Sequence, residues 1–276
     1  RPTAGRWSTK GIVPLSSPLD TAGPLTRTVA DLAISFSSID PLIREEPISF
    51  ISRLRNASLS DFHIGVCDWY FNDCEPGISE GVKKAIDELV DKGLRTSSIN
   101  LPHLDEVTTI FSKGGLHIGE FTNFMNTEMS DFRKDLDPTV AIRIKEAENF
   151  PASEHIKRIK AVEQMSTDAN AAFGGLHAIL GPTLPMTPPK MSDIVDPDVH
   201  LKANFFCVRN TNTVSLLKLC AITIPVSLDN SEMPVGLQII CPSGKEETAI
   251  AIALAFENTL GTSRQRIGDP PICASN

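Results

Sequence analysis

Residues 62–101 read FHIGVCDWYFNDCEPGISEGVKKAIDELVDKGLRTSSINL, and this stretch decides the fold class. Phe62 to Val66 is a short apolar run with the length of a buried strand. Ser79 to Lys92 carries apolar residues at helical spacing, and Gly93 ends that helix. Arg95 to Leu101 then returns as a second strand. Strand, helix and strand in this order predict a βαβ unit with a parallel strand pair.

The flanking sequence extends this unit in both directions. The spacing predicts a helix over 26–39 with Thr28 as its N-cap, and a mostly helical stretch from Leu104 to Phe173 that Gly174 and Gly175 stop. Ser243 and Glu246 form a capping box for a final helix that Gly261 closes. Three apolar runs bounded by Pro or Gly predict strands buried on both faces: 178–182, 221–226 and 235–241. The expected fold class is α/β, with a mixed, largely buried central sheet covered by helices on both sides.

Composition excludes several classes of partner and site. The chain has 34 acidic and 26 basic residues in 276, and the resulting net charge of −8 argues against a nucleic-acid partner. No apolar run reaches membrane-spanning length, so no membrane partner is expected. The six cysteines lack paired CxxC spacing and the six histidines lack metal-ligand spacing, which predicts no metal site and a reduced, cytoplasmic protein.

The first residues of the chain carry its most specific motifs. Residues 1–7 read Arg-Pro-Thr-Ala-Gly-Arg-Trp, and residues 19–24 read Leu-Asp-Thr-Ala-Gly-Pro. Together with the runs at 179–185, 222–226 and 234–240, these motifs resemble the amidase signature family in order and across most of the chain. Within that family the opening is most similar to indoleacetamide hydrolases and related aryl-amide hydrolases.

This resemblance implies an extent and an activity. It implies that residues 1–276 are the C-terminal portion of a single amidase signature-like domain, incomplete at its N-terminal end, with a variable, mostly helical middle at 40–175. The implied reaction converts a small carboxamide to an acid and ammonia, with no cofactor. A Ser nucleophile, a second Ser and a Lys base perform it in the family. All three lie outside this chain, so no catalytic residue is assigned to it and the chain alone is expected to be inactive.

Six residues are predicted to bind the substrate. Ser16, Ser17 and Asp20 shape a turn beside the expected pocket, and a purely structural role for Asp20, as a cap of backbone amides or a partner of Arg6 or Arg27, is the alternative. Phe121, Phe124 and Met125 recur at helical intervals and suit an aromatic amide, although the same spacing is typical of core residues. Lys10 lies near Ser8 in sequence, but proximity in sequence does not make a catalytic pair.

Two further expectations follow from the resemblance. The family has a Gly-x-Pro turn before the strand that contains Ile222, whereas this chain has Leu219-Cys220-Ala221 there, so a reshaped turn is expected. The expected partners are a small-molecule amide and the missing N-terminal half, in cis or in trans, and the sequence leaves a homodimer open. The alternative function is a non-catalytic scaffold or subunit that completes a site supplied by another polypeptide.

Overall fold

The computed structural model describes residues 1–147 and 150–269, which contain one five-stranded sheet. Its strands are β1 (His63–Val66), β2 (Arg95–Ser98), β3 (Ala178–Pro182), β4 (Cys220–Leu228) and β5 (Pro234–Cys241). They lie in the order β2-β1-β3-β5-β4. Strand β1 is parallel to β2 and β3, whereas β5 is antiparallel to β3 and β4. The predicted βαβ unit and the mixed sheet are therefore confirmed.

The described ranges contain eleven α-helices and four short 3₁₀ helices. The α-helices are α1 (Val29–Ile39), α2 (Pro47–Arg55), α3 (Ile78–Asp91), α4 (Leu104–Ser112), α5 (His117–Thr127), α6 (Pro138–Ala147), α7 (Ala152–Ala172), α8 (Pro197–Cys207), α9 (Arg209–Leu216), α10 (Glu246–Leu260) and α11 (Ser263–Ile267). The 3₁₀ helices are Leu59–Asp61, Asp68–Phe71, Ser130–Asp135 and Met191–Ile194. Within these ranges, no helix combines the length and the hydropathy that crossing a bilayer requires.

Helices cover both faces of the sheet, as predicted. On one face α3 and α10 pack against β4 and β5 and against each other. On the other face α9 packs against β4, and Tyr70 covers β3. A Cβ atom at Gly181 would lie 2.5 Å from Tyr70 Cβ, so the absence of a side chain at Gly181 permits this close packing.

Most predicted helix ends are confirmed. Thr28 is the N-cap of α1, and its Oγ1 accepts the Asp31 N–H at 3.1 Å. Helix α7 stops before Gly174 and Gly175, and α10 stops at Gly261; all three glycines have positive φ. Because Gly has no Cβ, it reaches the left-handed conformation that ends a helix without steric cost. Two elements differ slightly from their predicted bounds. Helix α3 begins and ends one residue earlier than the predicted 79–92, and β2 ends at Ser98, three residues before the predicted end at Leu101.

Strand β4 departs from the prediction that it is buried on both faces. Within the predicted run at 221–226, Thr223 is exposed. The reason is position: among the described strands, only β5 lies beside β4, so β4 forms an edge of the sheet. Strand β3 lies between β1 and β5 and is buried along its whole length, as predicted. Local apolar composition does not reveal which strand lies at an edge.

Candidate functional site

The opening motif is held by two buried carboxylates from distant parts of the chain. Arg6 donates from Nε to Asp40 Oδ2 at 2.5 Å and from Nη1 to Glu246 Oε2 at 2.8 Å. Glu246 also accepts the Thr3 backbone N–H at 2.7 Å, and Trp7 Nε1 donates to Asp40 at 2.8 Å. We call these five residues the Arg6 clamp. The Arg6 clamp therefore connects residues 3–7 with the end of α1 and with the beginning of α10.

The charged groups of the Arg6 clamp have little contact with solvent. The side chains of Arg6, Asp40 and Glu246 are 10%, 0% and 5% exposed. Burial acts to raise the pKa of Asp40, but hydrogen bonds from Arg6 and Trp7 outweigh it and bring that pKa below its usual value. Burial acts to lower the pKa of Arg6, and the hydrogen bond to Asp40 and the charge of Glu246 raise it above its usual value. Asp40 and Arg6 are therefore both ionised at neutral pH.

The predicted capping box of the last helix is wrong. Glu246 is the first residue of α10, but its carboxylate accepts from Thr3 and Arg6, not from the backbone of Ser243. The Ser243 N–H donates to Asn170 Oδ1 at 2.7 Å. A buried arginine is a stronger partner for a carboxylate than a neutral amide, so the tertiary contact takes Glu246 away from the local one.

Arg1 extends the sheet at β4 and fixes the following loop. Its amino group donates to Ala221 O at 2.8 Å, and the Ala221 N–H donates back to Arg1 O at 2.9 Å. The Arg1 guanidinium donates to Leu19 O at 2.9 Å and to Thr21 Oγ1 at 3.0 Å. The Leu-Asp-Thr motif is thereby held next to the edge of the sheet.

Three of the predicted substrate residues lie in one turn. The Asp20 carboxylate caps backbone N–H groups within this turn, and the Glu120 carboxylate binds the turn to α5. Asp20 Oδ2 accepts the N–H groups of Leu15 and Ser16 at 2.9 and 3.0 Å. Of the two structural alternatives for Asp20, this is the backbone cap. Glu120, in α5, accepts the Ser17 N–H at 2.6 Å and lies 3.4 Å from Ser16 Oγ. The structure therefore brings Ser16, Ser17 and Asp20 against α5.

The other three predicted substrate residues lie on the helix that receives this turn. Met125 is buried, and Phe121 and Phe124 are half-buried. Phe124 lies one helical turn after Glu120, on the same face of α5. The turn with Ser16, Ser17 and Asp20 is joined to α5 through Glu120, and α5 also carries Phe121, Phe124 and Met125. The role of all six residues in substrate binding stays a prediction.

A separate cavity of about 350 Å³ runs along the free edge of β4. We call it the β4 groove. On one side of the strand it is lined by α1 and α10, and on the other side by α9. Its lining includes Val29, Leu32, Phe36, Thr211, Val214, Ile222, Thr223, Ile224, Gln238, Ala249, Ile250 and Glu257. None of the six predicted substrate residues lines the groove.

Two polar side chains of the groove stand out. Gln238 is 3% exposed, and its Oε1 has no hydrogen-bond donor among the described residues. A buried acceptor without a hydrogen bond is costly, so this oxygen could accept from a donor group placed in the groove. Glu257 accepts the Val29 N–H at the start of α1 at 3.0 and 3.1 Å, while burial raises its pKa.

The turn before β4 keeps a glycine-like geometry without a glycine. Lys218 has a φ of +54°. The Lys218 N–H donates to Ser215 O at 3.1 Å and the Leu219 N–H to Val214 O at 3.0 Å, the bond pattern of a Schellman motif. Lys218 therefore has the left-handed backbone conformation that glycine favours, although it carries a side chain.

Sequence reasoning missed several residues of this framework. Glu120, Asp40, Gln238 and the role of Glu246 follow from contacts between residues far apart in the chain, for which no local pattern exists. Lys10 and Ser8 do not form an amine–hydroxyl pair here, since the bond between them is from the Lys10 backbone N–H to Ser8 Oγ at 3.2 Å. Within 1–147 and 150–269, no cluster of His, Cys, Asp and Glu could hold a metal ion. Cys273 lies outside the described residues.

Comparison with known proteins identifies relatives across nearly the whole chain. The sequence model of one family, described as Amidase, matches residues 1–250. The 2-amino-5-chloromuconic acid deaminase of Comamonas testosteroni is 35% identical over 271 residues, which are 98% of this chain and 58% of that protein. The indoleacetamide hydrolase of Allorhizobium ampelinum is 26% identical over 280 residues, which are 93% of this chain and 58% of that protein.

A solved structure agrees with the sequence matches. One of the subunits of the glutamyl-tRNA(Gln) amidotransferase of Thermotoga maritima superposes with a TM-score of 0.72 at 26% identity, covering 98% of this chain and 59% of that one. The chain therefore spans a little under three fifths of the length of these relatives.

Proposed function

Because this chain belongs to the amidase family, we propose that it is the C-terminal part of an amide hydrolase that converts a small carboxamide to an acid and ammonia. One observation carries this proposal: a single family match runs from the opening motif through β3, β4 and β5. The chain spans 58% of its curated relatives, so the proposal concerns the whole enzyme, of which these residues form one part.

The chemistry requires groups that this part does not supply. Amide hydrolysis needs an activated nucleophile, because resonance stabilises the amide and its nitrogen leaves poorly. In the proposed enzyme a Ser, a second Ser and a Lys from the rest of the protein perform this step. Residues 1–276 position the loops around them: the Arg6 clamp holds the opening motif, and Arg1 holds the Leu19–Thr21 segment beside the sheet.

The proposed substrate is an indoleacetamide-like amide or another aryl or alkyl amide. Helix α5, which holds the Ser16–Asp20 turn through Glu120, carries the half-buried rings of Phe121 and Phe124 and the buried Met125. Flat aromatic groups pack well against such rings, while hydroxyls and backbone N–H groups orient a polar carboxamide. Similarity to an indoleacetamide hydrolase supports this substrate class.

Another relative suggests a second substrate class, an amino-substituted unsaturated diacid. The 2-amino-5-chloromuconic acid deaminase is 35% identical to this chain, against 26% for the indoleacetamide hydrolase. An amino-substituted unsaturated diacid is therefore the competing candidate. Its release of ammonia is measured by the same assay.

The alternative function is a non-catalytic scaffold or subunit that completes a site from another polypeptide. Its support is that one relative is itself part of a multi-subunit amidotransferase. Under both functions, the proposed partners are a small amide and the remaining N-terminal half. A homodimer is proposed as a further assembly, and the molecular mass in solution tests it.

We propose that the protein is cytoplasmic. The five described cysteines are free thiols, and Cys220 and Cys241 are register partners on adjacent strands without forming a disulfide. Free cysteines that face each other in this way are typical of a reducing compartment.

The experiment compares two proteins on two substrates. Ammonia release is measured from indole-3-acetamide and from 2-aminomuconate, with the 276-residue chain and with the product of the complete coding sequence. We expect turnover by the complete product alone, and turnover by the isolated chain would contradict the assignment of the catalytic residues to the rest of the protein. If the complete product is inactive on a wider amide panel, the hydrolase proposal fails. Activity that arises only after co-expression with a separate polypeptide supports the scaffold function.

A further inference from the structure

We propose that a second cavity, at one end of the sheet, binds a small neutral carboxamide and excludes the corresponding carboxylate. This cavity has a volume of about 210 Å³ and lies where β3 ends and β5 begins. We call it the Thr183 cavity. None of the six predicted substrate residues lines it. A carboxamide and a carboxylate are the groups on the substrate and the product of the proposed hydrolase, so the choice of ligand rests on the proposed function.

The walls of the Thr183 cavity are mostly apolar and limit the size of its ligand. They include Ile78, Leu184, Met186 and Val235, of which three are buried and Leu184 is half-buried. The volume equals that of roughly seven water molecules at about 30 Å³ each, so it admits a molecule of about ten heavy atoms or fewer. An apolar lining with a few polar groups that fix orientation is typical of a small-molecule site.

Two threonine hydroxyls supply a hydrogen-bond donor. Thr183 Oγ1 and Thr223 Oγ1 lie 3.1 Å apart, and one of the two hydroxyls donates to the other. Each hydroxyl has one hydrogen, so the bond between them leaves one hydrogen for a ligand. Gly236 permits this arrangement, because a Cβ atom there would lie 2.7 Å from Thr183 Oγ1 and 2.7 Å from Thr223 Cγ2. The threonine pair therefore suits a carbonyl oxygen.

A buried carboxylate gives the cavity a negative charge. Asp229 lines the Thr183 cavity and is 8% exposed. Its Oδ1 accepts the N–H groups of Ser231 and Met233 at 2.8 and 2.9 Å, and its Oδ2 accepts from the Thr187 hydroxyl. Burial acts to raise the pKa of Asp229, but these hydrogen bonds outweigh it and bring that pKa below its usual value. Asp229 is therefore ionised at neutral pH.

The charge of Asp229 distinguishes a carboxamide from a carboxylate of the same shape. A carboxylate has about four lone-pair positions, so the three bonds to Asp229 leave one for an N–H donor. A carboxamide offers that donor together with an acceptor for the threonine pair. A carboxylate ligand offers only acceptors, and Asp229 repels its charge. Of the two proposed substrate classes, the cavity thus favours the aryl or alkyl amide over the diacid.

The test titrates the ¹⁵N-labelled 276-residue chain with benzamide and with benzoate, which match in size and shape. The Gly236 amide, in the wall of the cavity, reports binding through its NMR chemical shift. We expect benzamide to shift this signal to saturation, and benzoate to bind at least tenfold more weakly at pH 7. Asp229→Asn keeps an acceptor for Ser231 and Met233 and removes the charge, so the difference should fall below threefold.

A double variant tests the threonine pair. Thr183→Val with Thr223→Val removes both hydroxyls and keeps the shape of both side chains, and we expect benzamide binding to weaken at least fivefold. Both are replaced because either hydroxyl is able to donate. Thr259→Val, on the exposed side of α10, is the matched control and should stay within twofold of the unaltered chain.

The outcomes separate the site from its selectivity. An unshifted Gly236 amide, or unchanged benzamide affinity in the double variant, overturns the site. Equal affinities of the unaltered chain for benzamide and benzoate overturn the exclusion of the carboxylate. If the 276-residue chain does not fold, calorimetry with the product of the complete coding sequence makes the same comparisons. Binding is measured here and not turnover, so a failure of this test is distinct from a failure of the proposed hydrolase activity.

Discussion

Arg6 Nη1 donates to Glu246 Oε2 at 2.8 Å although the two residues are 240 positions apart in the chain. The same carboxylate accepts the Thr3 N–H, so a single buried group holds both a side chain and the backbone of the opening motif. Glu247, the next residue, pairs with Arg53 at the surface, where both side chains are 40% exposed or more. Two adjacent glutamates thus have very different surroundings.

This difference predicts the stability of two matched variants. Glu246→Gln leaves the Arg6 guanidinium buried with one fewer charged partner, and we expect it to lower the free energy of unfolding by about 3 kcal/mol. Glu247→Gln removes an exposed ion pair, and we expect a loss of about 0.5 kcal/mol or less. Urea denaturation of both variants measures the difference. Equal losses would mean that the Arg6 clamp contributes no more than a surface pair.

Asp40 predicts the acid sensitivity of the fold. Its pKa is lower in the folded chain than in the unfolded one, so the stability it contributes is fully present above its unfolded pKa and is lost as the pH falls through the folded value. We therefore expect the free energy of unfolding to decline below about pH 5, where an aspartate with the ordinary pKa of about 3.9 begins to bind a proton. Asp40→Asn should be less stable at pH 7 and show a shallower decline. Asp87→Asn, on the exposed face of α3, should keep the wild-type slope.

The positive φ of Lys218 predicts that replacing this residue by glycine stabilises the fold. A residue with a Cβ at φ +54° is strained, and glycine relieves that strain. We expect Lys218→Gly to raise the free energy of unfolding by about 0.5–1 kcal/mol, whereas Lys218→Ala keeps the strain and should not raise it. Thermal unfolding of the two variants provides the comparison, and a stabilised alanine variant would point to a cause other than the backbone.

Replacing either of two asparagines of α9 by alanine should cost stability, but by very different amounts. The Asn210 side chain is fully buried, and its Nδ2 donates to Tyr70 O at 3.1 Å and to Pro182 O at 2.8 Å. Asn210→Ala removes both of these buried hydrogen bonds, and we expect a loss of about 2–4 kcal/mol. Asn212 Nδ2 is buried without a partner among the described residues, so Asn212→Ala should cost less than about 1 kcal/mol. A ranking in the reverse order in chemical denaturation would disprove this account.

Glu120 predicts the mobility of the Ser16–Asp20 turn. Its carboxylate accepts the Ser17 N–H at 2.6 Å. Glu120→Ala removes this acceptor, and we expect the Ser17 amide to exchange with solvent at least tenfold faster. Glu128→Ala, at the exposed end of the same helix, serves as the control and should leave that rate unchanged. In the proposed complete enzyme, the same variant tests the predicted substrate-binding role of the turn, which requires KM for the amide to rise more than kcat falls.

Local patterns predicted the elements of the fold well. The helix over 78–91 and the strands on either side of it follow from apolar spacing and from a glycine stop, which act within a few residues. The N-cap at Thr28 was predicted for the same reason. The errors fall where a distant residue competes for a local group: Arg6 takes Glu246 from the predicted capping box, and an edge position exposes Thr223 in a strand of buried composition.

The sequence by itself determined the α/β class, the family and the motifs at which the site is built, because periodicity, turn residues and ordered motifs are all written along the chain. Only the tertiary structure decided which groups meet: Glu246 with Arg6, Glu120 with Ser17, and Arg1 with the edge of β4. Hydrogen bonds and ion pairs act over about 3 Å in space, and residues hundreds of positions apart reach that distance only when the sheet and its helices have packed.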